Sequence, residues 1–131
     1  MDLSRRKFLV ASGVASTLLV SRSRHAQAKK YAISLDKVPA LKSVGGWAVV
    51  KFRSYKVLLV RTSTTEVKAF SPYCTHMRCQ LVYKASGKIL DCGCHGSRFD
   101  LAGKVKRGPA TKDLPTYRAW LRGNRIIVQI D

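Results

Sequence analysis

All four cysteines of this 131-residue chain lie between residues 74 and 94, in two short boxes, "CTHMRC" (74–79) and "CGCHGS" (92–97). Each box also carries one histidine. The surrounding region, Ser71 to about Pro115, holds all but one of the prolines and several glycines, and its apolar periodicity weakens except at "LVYK" (81–84) and "KILD" (88–91). A stretch of this kind cannot order itself by burying a core. It needs a metal, a disulfide or both. Cys92 and Cys94 stand one residue apart with His95 directly after the second. Two cysteines that close seldom bind one small ion together, so these two divide between roles that spacing alone leaves open.

On either side of this region the chain reads as short strands with little helical periodicity. "WAVVKFR" (47–53) and "KVLLVRT" (56–62) are β-rich and flank Ser54-Tyr55, read as a two-residue hairpin loop. "EVKAFS" (66–71) alternates, with apolar Val67, Ala69 and a partly buried Phe70. "TYRAWLR" (116–122) and "RIIVQI" (125–130) flank a second hairpin signal, Gly123-Asn124. Asp36 to Lys42 has room for a short helical turn limited by Pro39. A hydrophobic content of 46% with 24% charged residues is globular rather than disordered composition. The expected architecture is one small all-β domain carrying an inserted lobe, residues 71 to 115, with Trp47 and Trp120 in its core and Lys51, Arg53, Arg61, Arg118 and Arg122 on a solvated face.

The first 28 residues stand apart from the fold. Arg5 and Arg6 precede an apolar run, Phe8 to Val20, followed by Arg22, Arg24 and a small-x-small site at Ala26 and Ala28. This resembles a bacterial twin-arginine export signal. As a helix, the run reaches about 20 Å against roughly 30 Å of hydrocarbon, so cleavage after Ala28 is favoured over an uncleaved anchor. The twin-arginine route carries folded proteins, often with cofactor inserted, and delivers them to a compartment where disulfides persist. The expected location is the periplasm or the extracytoplasmic face of the inner membrane.

The net charge is +18, from 25 Lys+Arg against 7 Asp+Glu. Removing residues 1–28 takes away five basic residues and one acidic, leaving 20 against 6, so the basic character belongs to the domain. Such a charge steers toward something anionic. Nucleic acid explains neither the boxes nor the export signal, and the few aromatics are not interleaved with the basic residues as a stacking platform requires.

Cys74-x-His76 and Cys92-x-x-His95 each present a thiolate and an imidazole from a tight loop. Thiolates suit iron–sulfur clusters and zinc; imidazole suits zinc and iron. Zinc fingers pair cysteines two to four residues apart and histidines three to five apart, which this chain does not do. A structural zinc site with no redox role stays as the binding-module alternative. The two boxes resemble those of the Rieske iron–sulfur proteins, Cys-x-His-x-x-Cys and Cys-x-Cys-His-x-Ser, and fifteen residues separate His76 from Cys92. The likeness continues through "GSRFD" and "RGPATKDLP".

The resemblance implies a Rieske-like antiparallel β sandwich and one 2Fe–2S cluster. Cys74 and Cys92 would bind one iron and His76 and His95 the other, leaving the cluster less negative and its potential higher. Cys79 and Cys94 would pair as a disulfide between the two loops. Ser97 matches a donor to a bridging sulfide in high-potential members, whereas Phe99 replaces a tyrosine that hydrogen-bonds a ligand cysteine there, which implies an intermediate potential. Gly108, Pro109 and Ala110 match the loop that covers the cluster, and Thr111 departs from it. Met77 would keep the surface at the histidine edge apolar, and Arg78 would place a positive charge there, favouring the reduced cluster or an acidic partner. No catalytic residue is expected. The implied function is an exported electron-transfer protein, a soluble carrier or the small subunit of a larger oxidoreductase, serving a redox partner such as an acidic cytochrome. The alternative is the iron–sulfur subunit of a cytochrome bc quinol oxidoreductase. The ferredoxin of an aromatic-ring dioxygenase is disfavoured by the export signal and the disulfide cysteines.

Overall fold

The computed structural model describes Gly13 and residues 27–131; the signal read over residues 1–28 lies almost entirely outside them. Ten strands follow in chain order. They are β1 (Lys29–Ser34), β2 (Trp47–Phe52), β3 (Tyr55–Arg61), β4 (Val67–Phe70), β5 (Val82–Lys84), β6 (Ile89–Asp91), β7 (Arg98–Phe99), β8 (Val105–Arg107), β9 (Thr116–Arg122) and β10 (Arg125–Ile130). Two 3₁₀ turns, Leu35–Lys37 and Pro39–Lys42, join β1 toward β2. Pro39 opens the second, where its missing N–H costs nothing.

Six strands form one antiparallel sheet in the order β1-β10-β9-β4-β3-β2, and four form a second in the order β5-β6-β7-β8. The large sheet curls on itself. Tyr31 of β1, at one edge, stacks on Phe52 of β2, at the other, with ring centroids 5.5 Å apart. The curl wraps a base core of Val50, Phe52, Val57, Leu59, Val67, Ala69, Ile126, Val128 and Ile130. The fold is an all-β antiparallel sandwich.

β3 explains how two sheets share one protein. Its "VLLV" run is buried at every position. Alternation sends Val57 and Leu59 into the base core and Leu58 and Val60 into a second core, where they meet Phe70, Leu81, Tyr83, Leu90 and Phe99. β4 divides the same way, with Val67 and Ala69 facing the base and Phe70 facing the small sheet. The small sheet therefore packs on the outer face of β2–β4, and everything it carries is positioned by that face.

The β2–β3 loop is Arg53-Ser54, not Ser54-Tyr55. Tyr55 pairs with Phe52 as the first residue of β3, and its ring lies 6.0 Å from that of Tyr31. Arg53, not a customary turn residue, takes the left-handed position at φ 52°. Phe70 is fully rather than partly buried. Trp47 is half-buried against the second core, but Trp120 lies on the outer face of β9 with the Lys30 ammonium over its ring, because alternation gives the inner face to Ala119 and Leu121. Arg61 is no solvated residue either. Its guanidinium donates to the carbonyls of Ser63 (2.7 Å), Leu41 (3.1 Å) and Thr64 (2.6 Å), tying the loop after β3 to the second 3₁₀ turn.

Because adjacent residues of β3 serve different cores, their truncation separates the two. Leu59→Ala is expected to cost about 2–5 kcal/mol of unfolding free energy without speeding amide exchange in the small-sheet region. Leu58→Ala is expected to cost a similar amount and to speed exchange at the Leu81 amide, which bonds Pro72 O at 2.8 Å. Equal exchange profiles for the two variants would show that the two cores are not separate.

Candidate metal centre

The two boxes occupy equivalent places, between β4 and β5 and between β6 and β7, and they fold into the same loop. In the first, the Cys74 N–H donates to Cys79 O (2.8 Å) and the Arg78 N–H to Cys74 O (2.9 Å). In the second, the Cys92 N–H donates to Ser97 O (2.8 Å) and the Gly96 N–H to Cys92 O (2.9 Å). Each loop thus opens on a cysteine, closes on the carbonyl five residues later, and takes a positive φ at the fifth position, 52° at Arg78 and 79° at Gly96. Glycine adopts that conformation freely, whereas Arg78 does so at a cost of roughly 1–2 kcal/mol.

The loop geometry sorts the cysteines. Cys74 and Cys92, at the loop starts, are free and buried in the second core, 1% and 0% exposed. Cys79 and Cys94 form a disulfide, with Cα atoms 6.4 Å apart, that joins the two loops. Cys94 is the staple beside Cys92, so it is unavailable as a ligand. His76 and His95 are both exposed, and their rings meet edge to face with centroids 5.1 Å apart.

Burial raises the Cys74 thiol, but the backbone N–H groups of His76 and Met77 and the side chains of Cys92 and Ser97 outweigh it, holding the thiol below its ordinary value of 9.0. Hydrogen bonds aimed at the anion favour the thiolate, the form that binds metal. Ser97 is fully buried and accepts from the Ala110 N–H at 3.0 Å, which leaves its own proton for the sulfur side. Phe99 is also fully buried and packs in the second core.

The segment after β8 lies over the loops. Gly108 and Pro109 are exposed and joined by a cis peptide bond, while Ala110 turns inward onto Ser97. Thr75 Oγ1 donates to Lys112 O at 2.7 Å, fixing this segment to the first box. Asp113 accepts from the Val105 N–H and from Lys104 Nζ, each at 3.0 Å, and these two donors hold its carboxyl below the ordinary value. Gly103 is a further support that the sequence reading passed over. At φ 79° its carbonyl accepts from the Leu114 N–H, and a Cβ there would stand 2.6 Å from Leu114 O. The local signal was "DLAG", with Asp100 Oδ1 accepting from the Ala102 and Lys104 N–H groups. Thr75–Lys112 had no such signal, since 37 residues separate the partners.

These residues fit a dinuclear iron group. The candidate donors are two buried thiols in mutual contact and two surface imidazoles in mutual contact, with one of each per loop. Among the described residues no three His, Cys, Asp or Glu side chains gather as a single-ion site would need. Two soft sulfur donors and two nitrogens suit an iron–sulfur group with two ligands on each iron.

Fold and donor set together define an iron–sulfur electron-transfer protein. Residues 32–118 match the Rieske [2Fe-2S] domain, so the chain belongs to the Rieske family, whose cofactor is one 2Fe–2S cluster. It is 29% identical to the cytochrome b6-f complex iron-sulfur subunit of Chlorobaculum tepidum, over 99% of this chain and 77% of that one. It is 40% identical over 55 residues to the corresponding subunit 1 of Nostoc sp., a match that spans 42% of this chain and only 31% of the relative. The solved plasma membrane Rieske protein PetC3 of Synechocystis PCC 6803 superposes with a TM-score of 0.60 at 30% identity, over 75% of this chain and 97% of that one. The ferredoxin of carbazole 1,9a-dioxygenase from Nocardioides aromaticivorans, 22% identical with a TM-score of 0.62, shares the fold.

The disulfide closes a loop of sequence separation 15. Replacing Cys79 and Cys94 together by serine is expected to remove about 3 kcal/mol of stability, read by denaturant unfolding under oxidising conditions. A variant as stable as the parent would mean that the packed loops hold one another without the bond.

Proposed function

We propose that Cys74 and Cys92 hold one iron of the cluster and His76 and His95 the other, and that the protein is exported and passes electrons through its histidine edge. The observation that carries this reading is the layering of the four donors, thiols buried and imidazoles exposed, in two loops of one shape. When bound, a 2Fe–2S cluster takes up and returns one electron. The chain's residues set the terms. The second core keeps water from the two sulfurs, and the His76 and His95 rings lie where a partner can reach them. The Ser97 hydroxyl and the His76 and Met77 N–H groups point hydrogen bonds at the sulfur side, which stabilises added negative charge. Phe99 offers no hydroxyl, so one donor fewer acts than in a chain with tyrosine there. On this reading the protein makes and breaks no substrate bond alone.

The chain organisation follows the same reading, with an export signal over residues 1–28 and a Rieske domain over 29–131 that works on the extracytoplasmic side. Among the described residues no helix is long and apolar enough to cross a membrane. On this reading the protein is a soluble carrier or the small subunit of a larger oxidoreductase, and its redox partner is acidic, matching the basic surface. A second reading, the iron–sulfur subunit of a quinol-oxidising cytochrome complex, is favoured by the names of the b6-f relatives. There a ligand histidine's free ring nitrogen would take the proton of quinol.

Redox titration across pH with EPR of the reduced form separates these readings, since potentials of such centres span roughly −150 to +300 mV. A potential that is flat around neutrality supports a plain relay. One that is high and falls with pH there shows proton uptake with the electron and supports the quinol reading. Without any reducible iron signal, both readings fail. Ser97→Ala is expected to lower the potential by about 65–130 mV, the one-electron equivalent of losing one charge-assisted hydrogen bond to the reduced state. An unchanged potential would show that the Ser97 hydroxyl serves Ala110 alone.

A further inference from the structure

The two boxes share one backbone path, and at its strained position one loop has Gly96 and the other Arg78. A side chain of this size sits in the left-handed region only where the rest of the structure holds it. Here the guanidinium lies over the Tyr73 ring, 5.3 Å from its centroid, and Tyr73 is itself set by a β-bridge to Gln80 across the loop. Arg78 is exposed and joins no ion pair among the described residues. The Tyr73 ring braces the guanidinium without neutralising it, and no carboxylate among the described residues pairs with it.

Its surroundings show what the charge faces. Arg78 follows Met77, 58% exposed, which in turn follows His76, so cation, apolar side chain and exposed imidazole come in succession on one loop. Neither box contains an acidic residue. Asp91, one residue before the second box, is engaged by Lys84 (2.7 Å) and Arg98 (3.4 Å); Asp100, three residues after it, by the Ala102 and Lys104 N–H groups and Lys106 (3.5 Å); and Asp113, on the covering segment, by Lys104 and the Val105 N–H. Lys112, drawn to the first box by Thr75, adds a second exposed cation on that side. An apolar centre beside an arginine is the usual anatomy of a protein docking site, and unopposed cations beside it select an anionic visitor.

We infer that Arg78, braced by Tyr73, is a partner-selecting residue that favours electron exchange with anionic partners at the histidine edge. The inference rests on the electron-transfer reading above and names the chemistry of the partner that reading requires. Its action is electrostatic steering at the exit point, so it should act on any small redox agent according to its charge and fade with salt.

The test is stopped-flow oxidation of the reduced, iron-loaded full chain by anionic hexacyanoferrate(III) and by cationic tris(phenanthroline)cobalt(III), with midpoint potentials measured for every variant. Arg78→Gly, which places in the first loop the residue found in the second, is expected to slow the anionic oxidant about three- to tenfold at low ionic strength. The cationic oxidant should keep or increase its rate, and the difference should vanish in 1 M salt, where the screening length is about 3 Å. Arg78→Lys should retain most of the parent's preference. An unchanged hexacyanoferrate rate in Arg78→Gly would overturn the inference, as would parallel slowing with both oxidants or a lysine variant that behaves like glycine. A parent chain with no reducible iron signal would instead overturn the electron-transfer reading on which the inference stands.

Discussion

Two loops fifteen residues apart in sequence separation must be held face to face, and the Cys79–Cys94 disulfide is the bond that does so. Neither loop has a regular element to lean on. Each is closed by two backbone hydrogen bonds of its own, which fix its shape but not its distance from the other. The disulfide supplies that second constraint, from the closing residue of the first loop to the middle of the second, while Cys74 and Cys92, which open the loops, pack into the core. With both ends restrained, the four proposed donors are brought together.

The loops in turn depend on a face that the large sheet would otherwise expose to water. β3 is apolar on both sides, and a strand of that kind is stable only if both sides are covered. The base core covers one side and the small sheet covers the other. Hydrophobic burial therefore supplies the driving force that seats the lobe, and the hydrogen bonds and ion pairs of the lobe determine its detail. The segment after β8 completes the arrangement through Ala110, Leu114 and the Thr75–Lys112 bond, which links the cover to the first loop.

Much of this was legible in the residues. β9 and β10 and their Gly123-Asn124 turn follow from alternation and turn chemistry, because each lies in a hairpin where pairing is local. The first hairpin slipped by one residue because Arg53 carries no sign of the left-handed turn it makes. β7 and β8 were not foreseen, since strands of two and three residues leave no period to detect. Trp120 and Arg61 show the opposite limit. A tryptophan in a strand suggests the core and an arginine suggests the solvent, yet register put the first outside and three carbonyls bound the second.

The sequence by itself determined the chemistry: two boxes with one histidine and two cysteines each, an apolar strand framework and a strong positive charge, all set by residue identity and spacing. Only the tertiary structure decided which thiols are buried, that the imidazoles face outward together, and that Ser97 is buried between Ala110 and Cys74. It also showed that Arg78 and Gly96 are the same position in two copies of one loop. Spacing along a chain limits what a loop can reach, but burial, exposure and equivalence are relations between segments distant in sequence, and they arise only when both sheets have packed.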